Sequence, residues 1–351
     1  MLAPLLHILP LTTIVRERVL PIPGDVTVRA GQKVSATEVV AQATWSRDHA
    51  LIDVAGGLRI APAAAEALIR CKVGDQLSAG SEVAKGGGMF PKTIRAPKDG
   101  RVVAVGGGQI LLQTGETPLR LRAGMPGMVV QIIPDRGVVI QNAGALIQGI
   151  WGNGRVDTGL LVNLCEAADS VLTGAKLDVS LRGAVILGGM CRDVETLQAA
   201  AELPVRGLIL SSMDPALLPA AMQMRYPILL TDGPGSLPMN SLAYRLLSTN
   251  VQREVTLNAE LYDRYTGARP EVIIPLPVAQ EPAAPRDVEA FAPGQMVRMR
   301  RPPAMGGIGS ISVLRPGLSL LPGGLRAAAA EVKMENGETL LVPLVNLEVV
   351  G

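Results

Sequence analysis

Arg298, Arg300, Arg301 and Arg315 form the best charged patch in this chain. A guanidinium is a planar fork of donors that matches phosphate or carboxylate oxygens two at a time. If the run is a strand, Arg298 and Arg300 share one face, because side chains alternate with a period of two. Three or four such cations would give weak, salt-sensitive contact with nucleic acid. The same residues also serve as ordinary protection of a sheet edge, and both uses stay open. Upstream, Gly188-Gly189, Ser211-Ser212 and Thr231-Asp232-Gly233 each close a short apolar run, and two of the three lead into helix starts. Ligands of open parallel sheets collect beyond the carboxyl ends of the strands, and helix N-termini hold anions. Gly188, Gly189, Ser211, Ser212, Asp232 and Gly233 are therefore candidates for a small anionic ligand, with short connecting turns as the alternative.

Nothing else in the sequence has the spacing of a catalytic or metal site. The two histidines, His7 and His49, have no partner at metal-ligand spacing. No GxSxG, HExxH, DxDxDG or GxxxxGK[ST] pattern occurs, and Gly188-Gly189-Met190-Cys191-Arg192-Asp193 is not a GxGxxG turn. Arg47-Asp48-His49 could form a functional turn, although such pairs in loops are usually solvated. No catalytic residue, metal or cofactor is expected, and a binding protein is favoured over an enzyme. Cys71, Cys165 and Cys191 are isolated, as buried thiols of a reducing cytoplasm would be. Aromatic residues make up 2% and are scattered, which argues against a base-stacking platform. A net charge of +2 supplies no global field toward nucleic acid or an anionic membrane. Residues 1–14 are apolar but broken by Pro4 and Pro10, and no run reaches the ~18 apolar residues of a membrane span. A cytoplasmic protein without membrane partners is expected.

The elements that must position these residues change character along the chain. At 351 residues, 48% hydrophobic and 18% charged, it is expected to fold as two or three packed domains with cores of Val, Leu, Ile and Ala. Short strands fill residues 12–40, and Val28-Arg29-Ala30-Gly31-Gln32 is echoed by Val73-Gly74-Asp75-Gln76 about 44 residues on. Pro62 to Cys71 reads as a short inserted helix. More strands follow over 108–140. Gly144 to Arg155 sets four glycines around Trp151, as a bulge and turn or as a loop close to a ligand. From Leu181, apolar strands alternate with amphipathic helices capped at Asp193 and Asp214, the pattern of a parallel sheet covered by helices. Pro277 to Pro285 is a Pro/Ala-rich extended linker.

Two stretches carry family resemblances. Val73 to Val105, with Val-Gly-Asp, Ala-Gly and Ala96-Pro97-Lys98-Asp99-Gly100 turns, resembles the barrel-sandwich hybrid of biotinyl and lipoyl carrier domains. Its tip, Ala84 to Lys92, lacks the Met-Lys-Met core, which leaves a displaced attachment at Lys85 or Lys92 as the only carrier reading. Lys333, in Val332-Lys333-Met334-Glu335, reads as an outward strand residue. Near the end, Pro293-Gly294-Gln295-Met296-Val297-Arg298-Met299, Gly306 to Ile311 and Val342 to Glu348 resemble a KOW-type, SH3-like small β-barrel. Such barrels occur in bacterial transcription elongation factors and ribosomal proteins. The resemblance implies contact with RNA, DNA or protein, no catalysis, and a hairpin turning on Gly309. The chain as a whole resembles three-part bacterial proteins.

The expected fold is multidomain, β-rich plus α/β. Residues 1–165 would form a barrel-sandwich-like β domain with a short helical insertion, and 180–276 a small three-layer α/β domain with a parallel sheet. A Pro/Ala linker follows at 277–288, and the KOW-like barrel at 289–351. The expected function is a non-catalytic scaffold whose barrel contacts a protein complex or ribonucleoprotein through Arg298, Arg300, Arg301, Gly309 and Arg315. The alternative is a small anionic-ligand-binding or enzyme accessory protein using the α/β strand ends.

Overall fold

The computed structural model describes residues 2–45, 48–87, 91–115 and 117–351. Gly88-Met89-Phe90 of the expected carrier tip and Arg47 of the Arg-Asp-His triplet lie outside the described residues. The chain is strongly β-rich, 46% strand and 13% helix, with several sheets and few helices. Among the described residues no helix is long and apolar enough to cross a membrane.

After a two-residue strand, Leu2–Ala3, that pairs with Glu289–Ala290 come β1 (Leu5–Leu6) and the long β2 (Ile8–Val19), which go to different sheets. Residues 25–122 hold short paired strands, such as Val39–Trp45 with Thr117–Arg122 and Asp48–Asp53 with Gln109–Thr114, and two short helices, Val54–Leu58 and Pro62–Glu66. Two of their turns and one far downstream are built alike: Arg29 to Gln32, Lys72 to Asp75 and Ala292 to Gln295. In each, the fourth side chain accepts from the first N–H at 3.1, 2.8 and 2.8 Å. The fourth N–H donates back to the first carbonyl at 3.1, 3.1 and 3.4 Å. Glycine stands third with φ of +80°, +103° and +88°, a region it enters without steric cost. The sequence echo is therefore one turn design reused to start a short strand.

The largest sheet has twelve strands. Its β3 (Gly137–Gln148) pairs along β2. β4 (Val156–Asn163), β5 (Ala184–Cys191), β6 (Gly207–Met213) and β7 (Ile228–Pro234) lie side by side in parallel. β8 (Glu254–Asn258) and β9 (Glu271–Pro275) then run antiparallel and connect β4 to β3. The sheet thus crosses the division expected between 1–165 and 180–276 without a break. β5 and β6 are buried at every position, which is why they read as unbroken apolar runs. Asp193 caps α1 (Val194–Glu202), accepting from the Thr196 N–H at 2.7 Å. Asp214 instead caps a 3-10 turn, Pro215–Leu217, that leads into α2 (Leu218–Gln223). α3 (Ser241–Ser248) starts at Asn240. Alternate strand residues feed two cores: Ile186, Leu208 and Leu230 pack with Leu197 of α1 and Ala221 of α2, whereas Leu187, Ile209 and Leu229 pack with Ala243 and Leu247 of α3.

The C-terminal strands are β10 (Met296–Met299), β11 (Ile308–Leu314), β12 (Ala329–Met334), β13 (Thr339–Pro343) and β14 (Leu347–Val350). With β1 they form a six-stranded sheet in the order β1-β14-β10-β11-β12-β13. The sheet is not an appendage, because Leu6, Ile308 and Val350 belong to the core that contains α3. Gly309 is not the hairpin glycine the resemblance implies. It lies inside β11 opposite Val297, and the connection from β10 runs through 300–307. A Cβ there would meet Val332 Cγ1 at 2.7 Å and the Lys333 carbonyl at 2.8 Å, so glycine is needed for β12 to lie close.

The Pro/Ala stretch, expected to be a linker, is held along β2. The Thr12 and Thr13 hydroxyls donate to the Ala283 and Pro282 carbonyls at 2.9 and 2.6 Å. Further along, His7 Nε2 lies 3.2 Å from the Arg286 carbonyl, and the ring is buried. Burial lowers the His7 pKa from its ordinary value, and the Arg286 carbonyl only partly opposes this. The unfolded chain therefore takes up a proton at about pH 6.5 while the folded chain still holds the ring neutral. Acid favours the state that binds the proton, so stability should fall as pH drops through that range. Urea midpoints should decline more from about pH 7.5 to 5.5 in the wild type than in His7→Gln. Equal declines would remove His7 from the account. The three cysteines are buried, and burial raises Cys165 and Cys191 to about 11, which leaves little reactive thiolate at neutral pH.

Candidate functional site

β7 ends on Thr231-Asp232-Gly233, and each polar group there is fastened. Thr231 Oγ1 donates to Asp232 Oδ2 at 2.7 Å, and the Asn240 backbone N–H donates to the same oxygen at 3.0 Å. Asn240 meanwhile caps α3 by accepting from the Ala243 N–H at 2.9 Å. This exchange pins the start of α3 to the end of β7.

The six-stranded sheet reaches the same point through Arg298 of β10. Its Nη2 lies 3.0 Å from Asp232 Oδ1, and its Nη1 donates to Glu348 Oε1 of β14 at 2.7 Å. The three side chains are 5%, 0% and 3% exposed, so this is a buried ionic triad. Burial pushes the Asp232 carboxyl up from the ordinary range, and the Arg298 guanidinium pulls it back. Arg298 Nε is buried and has no hydrogen-bond partner among the described residues. Arg298 is therefore not on an outer face with Arg300, because two carboxylates draw it inward.

A cavity of about 320 Å³ opens beside the triad. Arg269, Arg298, Arg300 and Arg301 line it, against the carboxylates Asp232 and Glu348, an excess of two positive charges. Arg269, just before β9, lies 4.0 Å from Glu348 Oε2. Arg300 and Arg301 are exposed, and among the described residues neither side chain has an ion-pair partner. The structure thus joins two sets of residues that the sequence keeps apart, Asp232 and Gly233 from a strand end and Arg298, Arg300 and Arg301 from the terminal unit.

The other candidates go elsewhere. Gly188 and Gly189 serve packing: a Cβ at Gly188 would meet Leu172 Cδ2 at 2.7 Å, and one at Gly189 the Ser170 carbonyl at 2.2 Å. Ser212 donates to the Leu237 carbonyl at 2.7 Å, and Ser211 is fully buried with no partner for its hydroxyl. Arg315 pairs with Glu331. Two lining residues had weak signals in the sequence. Glu348 is a charged residue within the apolar closing strand, which announces a buried partner. Arg269 follows a loop that holds Tyr262 and Tyr265, two of only four tyrosines.

A larger cavity of about 850 Å³ lies between β2 and the 260–269 loop and shares Arg269 with the first. Two of its arginines are already paired, Arg16 with Glu271 at 2.6 Å and Arg18 with Glu260 at 2.8 Å, and Glu17, Asp263 and Asp287 add negative charge to its lining. Among the described residues no group of three or more His, Cys, Asp or Glu could hold a metal ion. No protein-family model matches this sequence, and no curated protein matches it.

Proposed function

We propose that this chain is a non-catalytic binding protein that holds a small anionic ligand in the cleft between the end of β7 and the six-stranded sheet. One observation carries the reading: among the described residues Arg300 and Arg301 stand open and without an ion-pair partner, beside a cavity whose other charges are already matched. Unpaired guanidiniums at a concave site are suited to bidentate recognition of phosphate or carboxylate. In the same reading residues 289–351 with β1 form a KOW-like barrel, β4 to β7 with their helices a three-layer α/β unit, and residues 25–122 a barrel-sandwich-like unit.

The test is calorimetric titration of the intact protein with inorganic phosphate at low ionic strength. Binding should weaken about tenfold or more in Arg300→Ala and in Arg301→Ala, because each removes a charge-assisted hydrogen bond. No heat from phosphate at about 10 mM would end the proposal. A second reading, contact with a protein or ribonucleoprotein partner, is favoured by the exposed apolar hairpin of the same unit. Leu318, Leu320 and Leu325 there are 68%, 63% and 72% exposed.

A further inference from the structure

The cavity lining divides into two chemistries. Arg300 and Arg301 are open cations, and Arg298, buried, carries an Nε–H with no hydrogen-bond partner among the described residues. Ile150, Pro234, Met299 and Met305 are apolar, and Tyr262 adds an aromatic ring. Tyr262 is 54% exposed, and the Arg269 guanidinium lies 5.4 Å from its ring centroid. A cation over one face of an aromatic ring holds the ring in place and leaves the opposite face for another planar group. Tyr265, three residues on, is 83% exposed and also has an arginine, Arg264, 4.7 Å from its ring centroid, but of the two it is Tyr262 that lines the cavity. Met305, 36% exposed, adds a polarizable thioether that packs well against ring edges.

From this division we infer that the ligand is a phosphate monoester carrying a planar aromatic ring, with its phosphate on Arg300 and Arg301 and its ring against Tyr262. The inference rests on the anion-binding reading above. The size agrees: about 320 Å³ is at the small end for ligand cavities, enough for one small molecule and too small for a nucleic-acid strand. The charge agrees too. An excess of two positive charges matches a single phosphate dianion rather than a polyphosphate. A nucleoside monophosphate and a simple aryl phosphate share this chemistry, so both serve as probes.

The experiment is calorimetric titration of the intact protein with inorganic phosphate, glycerol phosphate, phenyl phosphate and adenosine monophosphate. The wild type, Tyr262→Phe and Tyr262→Ala are compared by the ratio of ester affinity to phosphate affinity. At least one aromatic ester should bind about threefold to tenfold more tightly than inorganic phosphate, and glycerol phosphate should show no such gain. The gain should persist in Tyr262→Phe, which keeps the ring, and fall to about one in Tyr262→Ala. Phosphate binding with no aromatic gain, or a gain indifferent to Tyr262→Ala, overturns this inference and leaves the anion reading standing. Failure of every probe overturns both.

Discussion

Arg298→Met should destabilise the protein by about 3–5 kcal/mol, the cost of leaving buried carboxylates without their cation. Asp232 and Glu348 are 0% and 3% exposed, so water cannot take over from the guanidinium. Arg298→Lys should be intermediate, because a point charge on a flexible stem cannot fork between two carboxylates. The loss should also depend on pH, with a determinate sign. Burial already raises the Asp232 carboxyl, and Arg298 is the main force opposing that rise. Without the arginine, the folded-state pKa climbs further above the unfolded value of about 3.9. The folded variant then binds the proton more tightly than the unfolded chain, so acid stabilises it relative to neutral pH. The deficit should be largest at about pH 7.5 and shrink as pH falls toward the raised pKa. Combining Arg298→Met with Asp232→Asn and Glu348→Gln should recover much of the stability, since the buried charges leave together. Urea unfolding of the single and triple variants decides it. A loss under about 1 kcal/mol in Arg298→Met would mean that the triad is solvated and does not hold the sheets together.

Arg298 also shows what was legible in the sequence and what was not. Three arginines within four residues read as a surface patch, because charged side chains are rarely fully buried. The reversal depends on Asp232 and Glu348, 66 and 50 residues away, and although Glu348 in an apolar strand hints at a buried partner, no local pattern says that the partner is Arg298. β5 and β6 were legible for the opposite reason, since strands covered on both faces must be apolar at every position. The cap at Asp193 is short-range chemistry and was readable to that extent, although at Asp214 the same chemistry starts a 3-10 turn. Gly309 was misread because a glycine at a hairpin turn and a glycine crowded by the neighbouring strand of a sheet look alike without the partner strand. For the site, the strand end and the arginines were both visible, but their meeting was not. That meeting depends on how the six-stranded sheet packs on the core of α3, which is a long-range property of the fold.

The start of the chain is the clearest case of such a property, and it carries the second large effect: Leu6→Ala should cost about 2–5 kcal/mol. Leu6 is fully buried, in the core shared by Leu187, Ile209, Ala243, Ile308 and Val350. Its backbone completes β14, with Leu6 opposite Val350, the Val349 N–H donating to the Pro4 carbonyl at 2.8 Å and the Gly351 N–H to the Leu6 carbonyl at 3.2 Å. The substitution therefore empties volume where two sheets meet, a place with little freedom to collapse. Leu2 provides the control. It lies in the same opening stretch but is 70% exposed, so Leu2→Ala should change stability by less than about 0.5 kcal/mol. Removing residues 2–6 altogether should do more than Leu6→Ala, because β14 then becomes an uncovered edge with Leu347 and Val349 beside it. For the same reason residues 289–351 produced alone should fail to give the dispersed amide spectrum of a folded domain, or should self-associate through that edge. Urea midpoints of the two point variants and an amide spectrum of the fragment test the two halves of the argument. A well-dispersed monomeric fragment, with Leu6→Ala close to wild type, would make β1 an ornament on an independent unit. The cleft at β7 would then be bounded by two bodies free to move apart, with Arg298 and, at longer range, Arg269 as the ionic ties between them among the described residues.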